Sequence, residues 1–207
     1  MANSTVAVGR GSAFCAGMIE PYFFGYGSLV NAETHSYPDP IPAKLAGWRR
    51  MWRHTTMSDV AFLTVVPDSC TTLEGLLAQV PDNDWAALDE REKAYFRTPV
   101  TPEAATVQLP DEISVQIYQT RTDQDVGPMV KHPILLSYLD VVVQGYLRVF
   151  GEDGVARFFA TTSGWEAPVL NDRMAPRYPR HQHLDGAETA LVDAHLAALS
   201  AHVQDLH

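Results

Sequence analysis

Short apolar runs bounded by turn residues punctuate this chain, and they predict strands more often than helices. The first, Pro21-Tyr22-Phe23-Phe24, is an aromatic run suited to a buried strand. It breaks at Gly25-Tyr26-Gly27-Ser28, where two glycines let the backbone turn sharply. Pro38, Pro40 and Pro42 exclude a helix from residues 31–42, which read as a surface connection. Residues 43–55 read as a strand with a turn at Gly47, Arg and Trp alternating loosely between a wet and an apolar face. Residues 60–66 predict a buried strand ended by Pro67-Asp68-Ser69, and residues 72–80 a second. Pro81-Asp82-Asn83-Asp84 opens a short helix with Asp82 as N-cap and Trp85 and Leu88 on one face. Two more strands follow at 98–107 and 112–120, with Ile113, Val115 and Ile117 alternating and Pro110-Asp111 at the turn; residues 122–131 are a polar loop.

Pro133 opens the best helix, running to about Phe150. Ile134, Leu135, Tyr138, Leu139, Val142, Val143, Tyr146 and Leu147 follow helical spacing in it. Residues 151–164 read as a linker and 171–183 as a Pro- and Arg-rich segment. Asp185 and Glu188 form a capping pair for a final helix over 186–203. Most strands follow one another directly. The class is therefore α+β, with a largely antiparallel sheet or small barrel, not a doubly wound sheet.

Composition narrows the picture. The 207 residues, 46% apolar and 19% charged, suffice for one sizeable domain with a core, and no repeat or internal boundary interrupts them. Residues 1–18 predict a loosely held lead. A net charge of −10 argues against nucleic acid and anionic membrane surfaces as partners. No apolar run reaches the roughly 18 residues that read as a membrane span, and residues 1–20 lack the features of a signal peptide. Cys15 and Cys70 form neither a disulfide framework nor a zinc site, and read as reduced thiols of a cytoplasmic protein.

Candidate chemistry gathers in two stretches. A strand running into a Gly-rich loop points successive backbone N–H groups into one small space, a nest for a phosphate, carboxylate or oxyanion. The loop is not a P-loop, because Gly-x-x-x-x-Gly-Lys is absent. It lacks the third glycine of a dinucleotide fingerprint, and Tyr26 and Val30 flank Ser28 where a nucleophile elbow has glycines. On these residues alone, a tight structural turn and an anion nest both stand. The second stretch is Asp89, Glu90 and Glu92. Charge clusters are usually solvated, but Leu88 before and Tyr95-Phe96 after set this one against a core. One carboxylate is thus a candidate for partial burial and a raised pKa, as general-base work requires. His181-x-His183 has no acidic or Cys partner at ligand spacing and reads as exposed, not as a metal site. Arg173, Arg177 and Arg180 read as a surface feature; were their segment to cover a pocket, Arg173 or Arg177 would meet a carboxylate-rich substrate. Trp48, Trp52 and Trp85 read as core residues.

Together the two stretches resemble the γ-glutamylcyclotransferase superfamily, and most closely its ChaC-like branch. Phe24-Gly25-Tyr26-Gly27-Ser28-Leu29 resembles that branch's opening motif, and Gly47-Trp48-Arg49-Arg50 its Gly-aromatic-Arg-Arg strand. Leu88-Asp89-Glu90-Arg91-Glu92, followed by Tyr95 and Val100, resembles its catalytic segment. Order and spacing agree over about residues 22–120. The 133–147 helix continues the match, with Tyr138 near a family tyrosine; beyond residue 150 the ChaC pattern has no counterpart.

The resemblance implies a small, partly open, mostly antiparallel β-barrel with flanking helices over residues 19–150; residues 151–207, outside the resemblance, are expected as an extension packed on the same domain. It implies cyclisation of a γ-glutamyl group to 5-oxoproline with release of an amine, amino acid or peptide, glutathione being one such substrate. By the motif match Glu92 is the catalytic carboxylate, and the backbone N–H groups of Tyr26, Gly27, Ser28, Leu29, Val30 and Asn31 hold the small-molecule γ-glutamyl substrate. No cofactor or metal is implied, and no oligomeric state is specified. A related enzyme cleaving a γ-glutamylamine or side-chain amide, and a non-catalytic small-ligand-binding or interaction protein on the same fold, are the alternatives. The presence of both the loop and Glu92 favours an enzyme.

Overall fold

The computed structural model describes residues 19–104, 113–126 and 131–205. The expected lead over 1–18, with Cys15, and the expected turn at Pro110-Asp111 lie outside them. The aromatic run forms β1 (Glu20–Gly25), followed by the long strands β2 (Ile41–Arg53) and β3 (Phe62–Gln79). After the short helix α1 (Ala86–Arg91) come β4 (Tyr95–Val100), β5 (Glu103–Ala104) and β6 (Ile113–Thr120). Then follow β7 (Ile134–Leu135), the long helix α2 (Leu136–Ala160), β8 (Thr162–Ser163), β9 (Val169–Asn171), α3 (Gly186–Ala198) and β10 (Val203–Asp205).

One seven-stranded sheet runs in the order β4-β6-β1-β3-β2-β5, with β8 beside β2, and it does not close on itself. Its pairs are antiparallel except β1 with β6 and β2 with β8. β10, β9 and β7 make a separate three-stranded parallel sheet. The α+β class with a mostly antiparallel, open sheet is thus the observed one. Alternation along β1 serves two cores: Phe24 joins the large one and Phe23 a smaller one with Leu29, Leu88 and Tyr118. In the large core Leu63, Val65, Leu77 and Ile117 of the sheet meet Leu139, Val142 and Tyr146 of α2. Trp52 is buried there, whereas Trp48 and Trp85 are only half-buried, with the Arg97 guanidinium 4.5 Å over the Trp85 ring.

Several boundaries differ from the sequence reading. Pro67-Asp68-Ser69 does not end a strand. β2 and β3 pair from Ile41↔Leu77 to Arg53↔Phe62, and residues 68–71 swing outward opposite Gly47, where the register shifts. Gly47 takes φ +82°, and Asp68 ties the outward swing by accepting from the Cys70 amide (3.0 Å) and the Thr71 hydroxyl (2.9 Å). The exposed Pro67 lies beside this bulge, where a missing ladder donor costs little. Asp82 does not cap α1. It sits at φ +55° in a preceding 3-10 turn, and Asp84 accepts from the Ala86 amide instead (3.1 Å). Helix α2 begins at Leu136, because Ile134 and Leu135 pair with β9. It breaks at Gly151 (φ +68°) but continues to Ala160, so most of the expected linker is helical; Val155, Phe158 and Phe159 are buried in the core. The Asp185–Glu188 capping box is present, but α3 ends at Ala198 because Val203–Asp205 pair with β9.

The Gly-aromatic-Arg-Arg stretch divides its labour. Arg49 reaches the surface carboxylate of Asp68 (3.7 Å). Arg50 is buried, donating to the Tyr146 hydroxyl (2.8 Å), Thr161 (2.6 Å), Thr162 (3.1 Å) and the Glu74 carbonyl (3.3 Å), with its guanidinium 4.9 Å over the Phe158 ring. These bonds offset the cost of burying the charge and join β2 to α2.

Candidate active site

β1 ends in a turn that folds back over its last residue. A Cβ on Gly25 would stand 2.7 Å from the Leu29 Cβ, and one on Gly27 2.7 Å from the Tyr138 hydroxyl. Both glycines answer to close approach. Ser28–Val30 is a 3-10 turn: the Val30 amide donates to the Gly27 carbonyl (3.0 Å) and the Asn31 amide to the Ser28 carbonyl (3.1 Å). Those two amides are spent within the turn, and residues 25–29 line the cavity beside it. The Asn31 side chain, 1% exposed, points away into the body of the protein. It donates to the Val141 carbonyl (3.0 Å) and Gln144 Oε1 (2.9 Å) and accepts from the Glu33 amide (3.1 Å). Gly145 lets α2 come this close, since a Cβ there would stand 2.7 Å from the Asn31 nitrogen.

α1 delivers the carboxylate. Glu92 closes the helix, its amide donating to the Leu88 carbonyl (2.9 Å) and its carbonyl accepting from the Tyr95 amide (2.8 Å) as the chain turns into β4. Glu92 and residues 25–29 line one cavity of about 20 Å³, joined by Leu63, Tyr95 and Tyr138. That volume holds about one water-sized group. Burial raises the Glu92 pKa, against the opposing pull of Arg91 and the weaker one of Arg180.

Arg91, whose role was not foreseen from sequence, ties loop and acid together. Its Nε donates to Glu92 Oε1 (3.1 Å), Nη1 to the Thr34 carbonyl (2.8 Å), and Nη2 to Thr34 Oγ1 (3.1 Å) and Ser28 Oγ (3.3 Å). Its one sequence signal is adjacency to Glu92. The Tyr26 hydroxyl donates to the Tyr118 carbonyl (2.6 Å) and that of Tyr95 to the Leu63 carbonyl (3.0 Å). Burial chiefly, with the Glu92 charge adding, raises the phenols of Tyr26, Tyr95 and Tyr138, so they remain neutral.

A second cavity, about 480 Å³, opens from the same carboxylate and shares Ser28, Leu63, Glu92, Tyr95 and Tyr138 with the first. Its far walls are Met57, Val60, Phe62 and Leu135, with Tyr178 and Arg180 from the Pro- and Arg-rich segment. That segment is held down by the buried Asp172. It accepts from the Ser137 amide (2.7 Å), the Ser137 hydroxyl (2.6 Å) and the Arg177 amide (2.8 Å). Arg173 clasps Asp140 through two bonds of 2.8 Å and reaches Asp193 (2.8 Å), while Arg177 pairs with Asp59 (3.2 Å). The two arginines expected to meet a substrate are thus engaged elsewhere, and Arg180 lines the cavity. His181 and His183 are exposed, and among the described residues no group of three or more His, Cys, Asp or Glu side chains is placed to hold a metal ion. No helix among the described residues is long and apolar enough to cross a membrane.

By sequence, no family model and no curated protein matches the chain. By structure it has neighbours. A γ-glutamyl cyclotransferase superposes with a TM-score of 0.55 at 13% identity, over 84% of this chain and 99% of that one. The fold is that of the γ-glutamyl cyclotransferases. The uncharacterized protein loc79017 from Homo sapiens gives 0.54 at 14% identity, over 85% of this chain and 99% of that one. YkqA from Bacillus subtilis gives 0.52 at 20% identity over 70% of this chain, which spans only 56% of the YkqA chain. A cyclotransferase-like fold here presents a largely buried carboxylate and a backbone loop on one small cavity that joins a larger one. A carboxylate that holds its proton above the ordinary range can exchange a proton with a ligand bound beside it.

Proposed function

We propose that this protein is a γ-glutamylcyclotransferase of the ChaC-like kind, acting in the cytoplasm on a small γ-glutamyl substrate. The observation that carries the reading is the placement of the Glu92 carboxylate, raised in pKa by burial, in one small cavity with the backbone of residues 25–29. The α-amino nitrogen of the substrate attacks its own γ-amide carbonyl carbon, forming the C–N bond of a five-membered ring. The old amide C–N bond breaks, giving 5-oxoproline and an amine, amino acid or peptide. No enzyme nucleophile is needed; the flexible glutamyl chain must be folded into a near-attack shape.

In this reading the amides of Tyr26, Gly27, Ser28 and Leu29 receive the substrate's oxygens, and those of Val30 and Asn31 shape the turn. Two protons must leave the α-ammonium group, whose nitrogen keeps one hydrogen in 5-oxoproline; Glu92 takes them in turn and passes them to the leaving nitrogen, which departs as an ammonium group, so protons and charge balance. A pKa raised toward working pH suits a group that must both accept and donate. Arg91 keeps the carboxylate aimed and the loop attached to it.

The test is release of 5-oxoproline, followed by mass spectrometry, from glutathione and a panel of γ-glutamyl amino acids and γ-glutamylamines. Glu92→Gln should lower turnover by about 10²–10⁴-fold with the fold intact. Undiminished turnover in that variant, or no release from any substrate, refutes the proposal.

A further inference from the structure

We infer that the cavity of about 480 Å³ beyond Glu92 is the leaving-group subsite, and that it selects γ-glutamyl conjugates of a bulky apolar or aromatic amino acid whose α-carboxylate is met by Arg180. This inference rests on the cyclotransferase reading of the same site. Its first support is continuity. The two cavities share Glu92, Tyr95 and Tyr138, so a group leaving from a carbonyl held at the Gly loop departs directly into the larger space. Size is the second support: ligand pockets of roughly 300–1,000 Å³ hold drug-sized molecules, far more than an ammonia or methylamine leaving group would fill.

The third support is the chemistry of the walls. Met57, Val60, Phe62, Leu63 and Leu135 offer an apolar surface, and Met57 remains 51% exposed at the mouth. Tyr178 stands edge-on to Tyr138 with ring centroids 5.0 Å apart, extending an aromatic wall from the catalytic cavity outward. Such a surface suits an aliphatic or aromatic side chain, and the polar members of the wall, Ser58 and Lys93 among them, are fewer than the apolar ones.

Charge completes the case. Among the described residues Arg173 and Arg177 are committed to Asp140, Asp193 and Asp59, whereas Arg180 makes no ion pair within 4 Å. Its position is not left to chance: Asp172 and Ser137 hold residues 172–178 down, and the Tyr178 amide donates to the Ser137 hydroxyl (3.2 Å). A guanidinium at the rim of an apolar cavity, beside the scissile amide, is placed for the α-carboxylate of the departing amino acid.

Steady-state kinetics of γ-glutamylphenylalanine, γ-glutamylglycine, glutathione and γ-glutamylphenethylamine, which lacks the carboxylate, tests this. The expected order in kcat/KM places γ-glutamylphenylalanine about 10–100-fold above γ-glutamylglycine, from burial of the ring, and above both other substrates. Arg180→Ala, at an exposed position that the fold does not depend on, should raise KM for γ-glutamylphenylalanine about five- to tenfold with a smaller change in kcat. It should also abolish the preference over γ-glutamylphenethylamine, and Arg180→Lys should restore part of it. Glutathione as the best substrate, or a preference untouched by Arg180→Ala, overturns the inference. Calorimetry of γ-glutamylphenylalanine with Glu92→Gln separates the two readings. Binding that depends on Arg180, with no turnover of any substrate by the native protein, sinks the reaction and keeps the subsite; absence of binding sinks the subsite even if other conjugates react.

Discussion

Asn31 marks the point where the functional and the architectural meanings of the Gly loop divide. Replacing it with Ala removes two donors and one acceptor from a residue that is 1% exposed. The Val141 carbonyl keeps its place in the helical ladder, so its loss is small. Gln144 Oε1, itself buried, loses its Asn31 donor, a cost of about 1–3 kcal/mol. The Glu33 amide loses its cap, about 1 kcal/mol. The sum is about 2–4 kcal/mol. For a chain of this size each kcal/mol moves Tm by roughly 2–4 °C, so thermal unfolding followed by circular dichroism should show a fall of about 5–15 °C. Asn31→Asp keeps the cap acceptor but sets a carboxylate against two acceptors, and should fall at least as far. Were the Asn31 side chain instead a substrate contact, Tm would stay within about 2 °C while KM rose, and that outcome would refute the reasoning.

Two further predictions follow from the same site. Gly27→Ala should displace the Tyr138 hydroxyl, which would lie 2.7 Å from the new Cβ, and adding Tyr138→Phe should recover part of the lost stability; simple additivity of the two changes in a double-mutant cycle would count against this contact. For Glu92, the raised pKa means that the folded state binds its proton more tightly than the unfolded state. Its contribution to stability therefore declines as pH rises from the ordinary carboxylate range through its own raised pKa. Glu92→Gln, in which Arg91 retains its bonds to Thr34 and Ser28, should then be more stable than the native protein at neutral pH, with the gain fading on acidification. A Tm difference that is flat with pH, or grows on acidification, would contradict the assigned direction.

Much of this was legible locally. Asp185 and Glu188 make their capping box within four residues of chain, through bonds that need no distant partner. The turn at Gly25 and Gly27, the alternation in β6 and the burial of one carboxylate in the Asp89–Glu92 stretch are likewise local patterns set against a core. Where local signals misled, a distant partner had intervened. Ile134 and Leu135 carry helical spacing, yet β9 takes them as a strand; Pro67 looks like a terminator, yet a bulge opposite Gly47 carries β3 past it.

The residue types at the Gly loop and the acid, and an α+β class with a largely antiparallel sheet or small barrel, were legible in the sequence, because glycine turns and period-two alternation act over a few residues; that the sheet does not close was decided by the tertiary structure. Only the tertiary structure decided which groups stand around them. Arg91 reaches Thr34 across 57 residues, Asn31 reaches Gln144 across 113, and Ser137 and Asp172, 35 residues apart, hold the segment that sets Arg180 at the cavity rim and leaves Arg173 and Arg177 in ion pairs. Those contacts are fixed by how the sheet and α2 pack, and side chains so far apart in the chain carry no mutual signal until they meet.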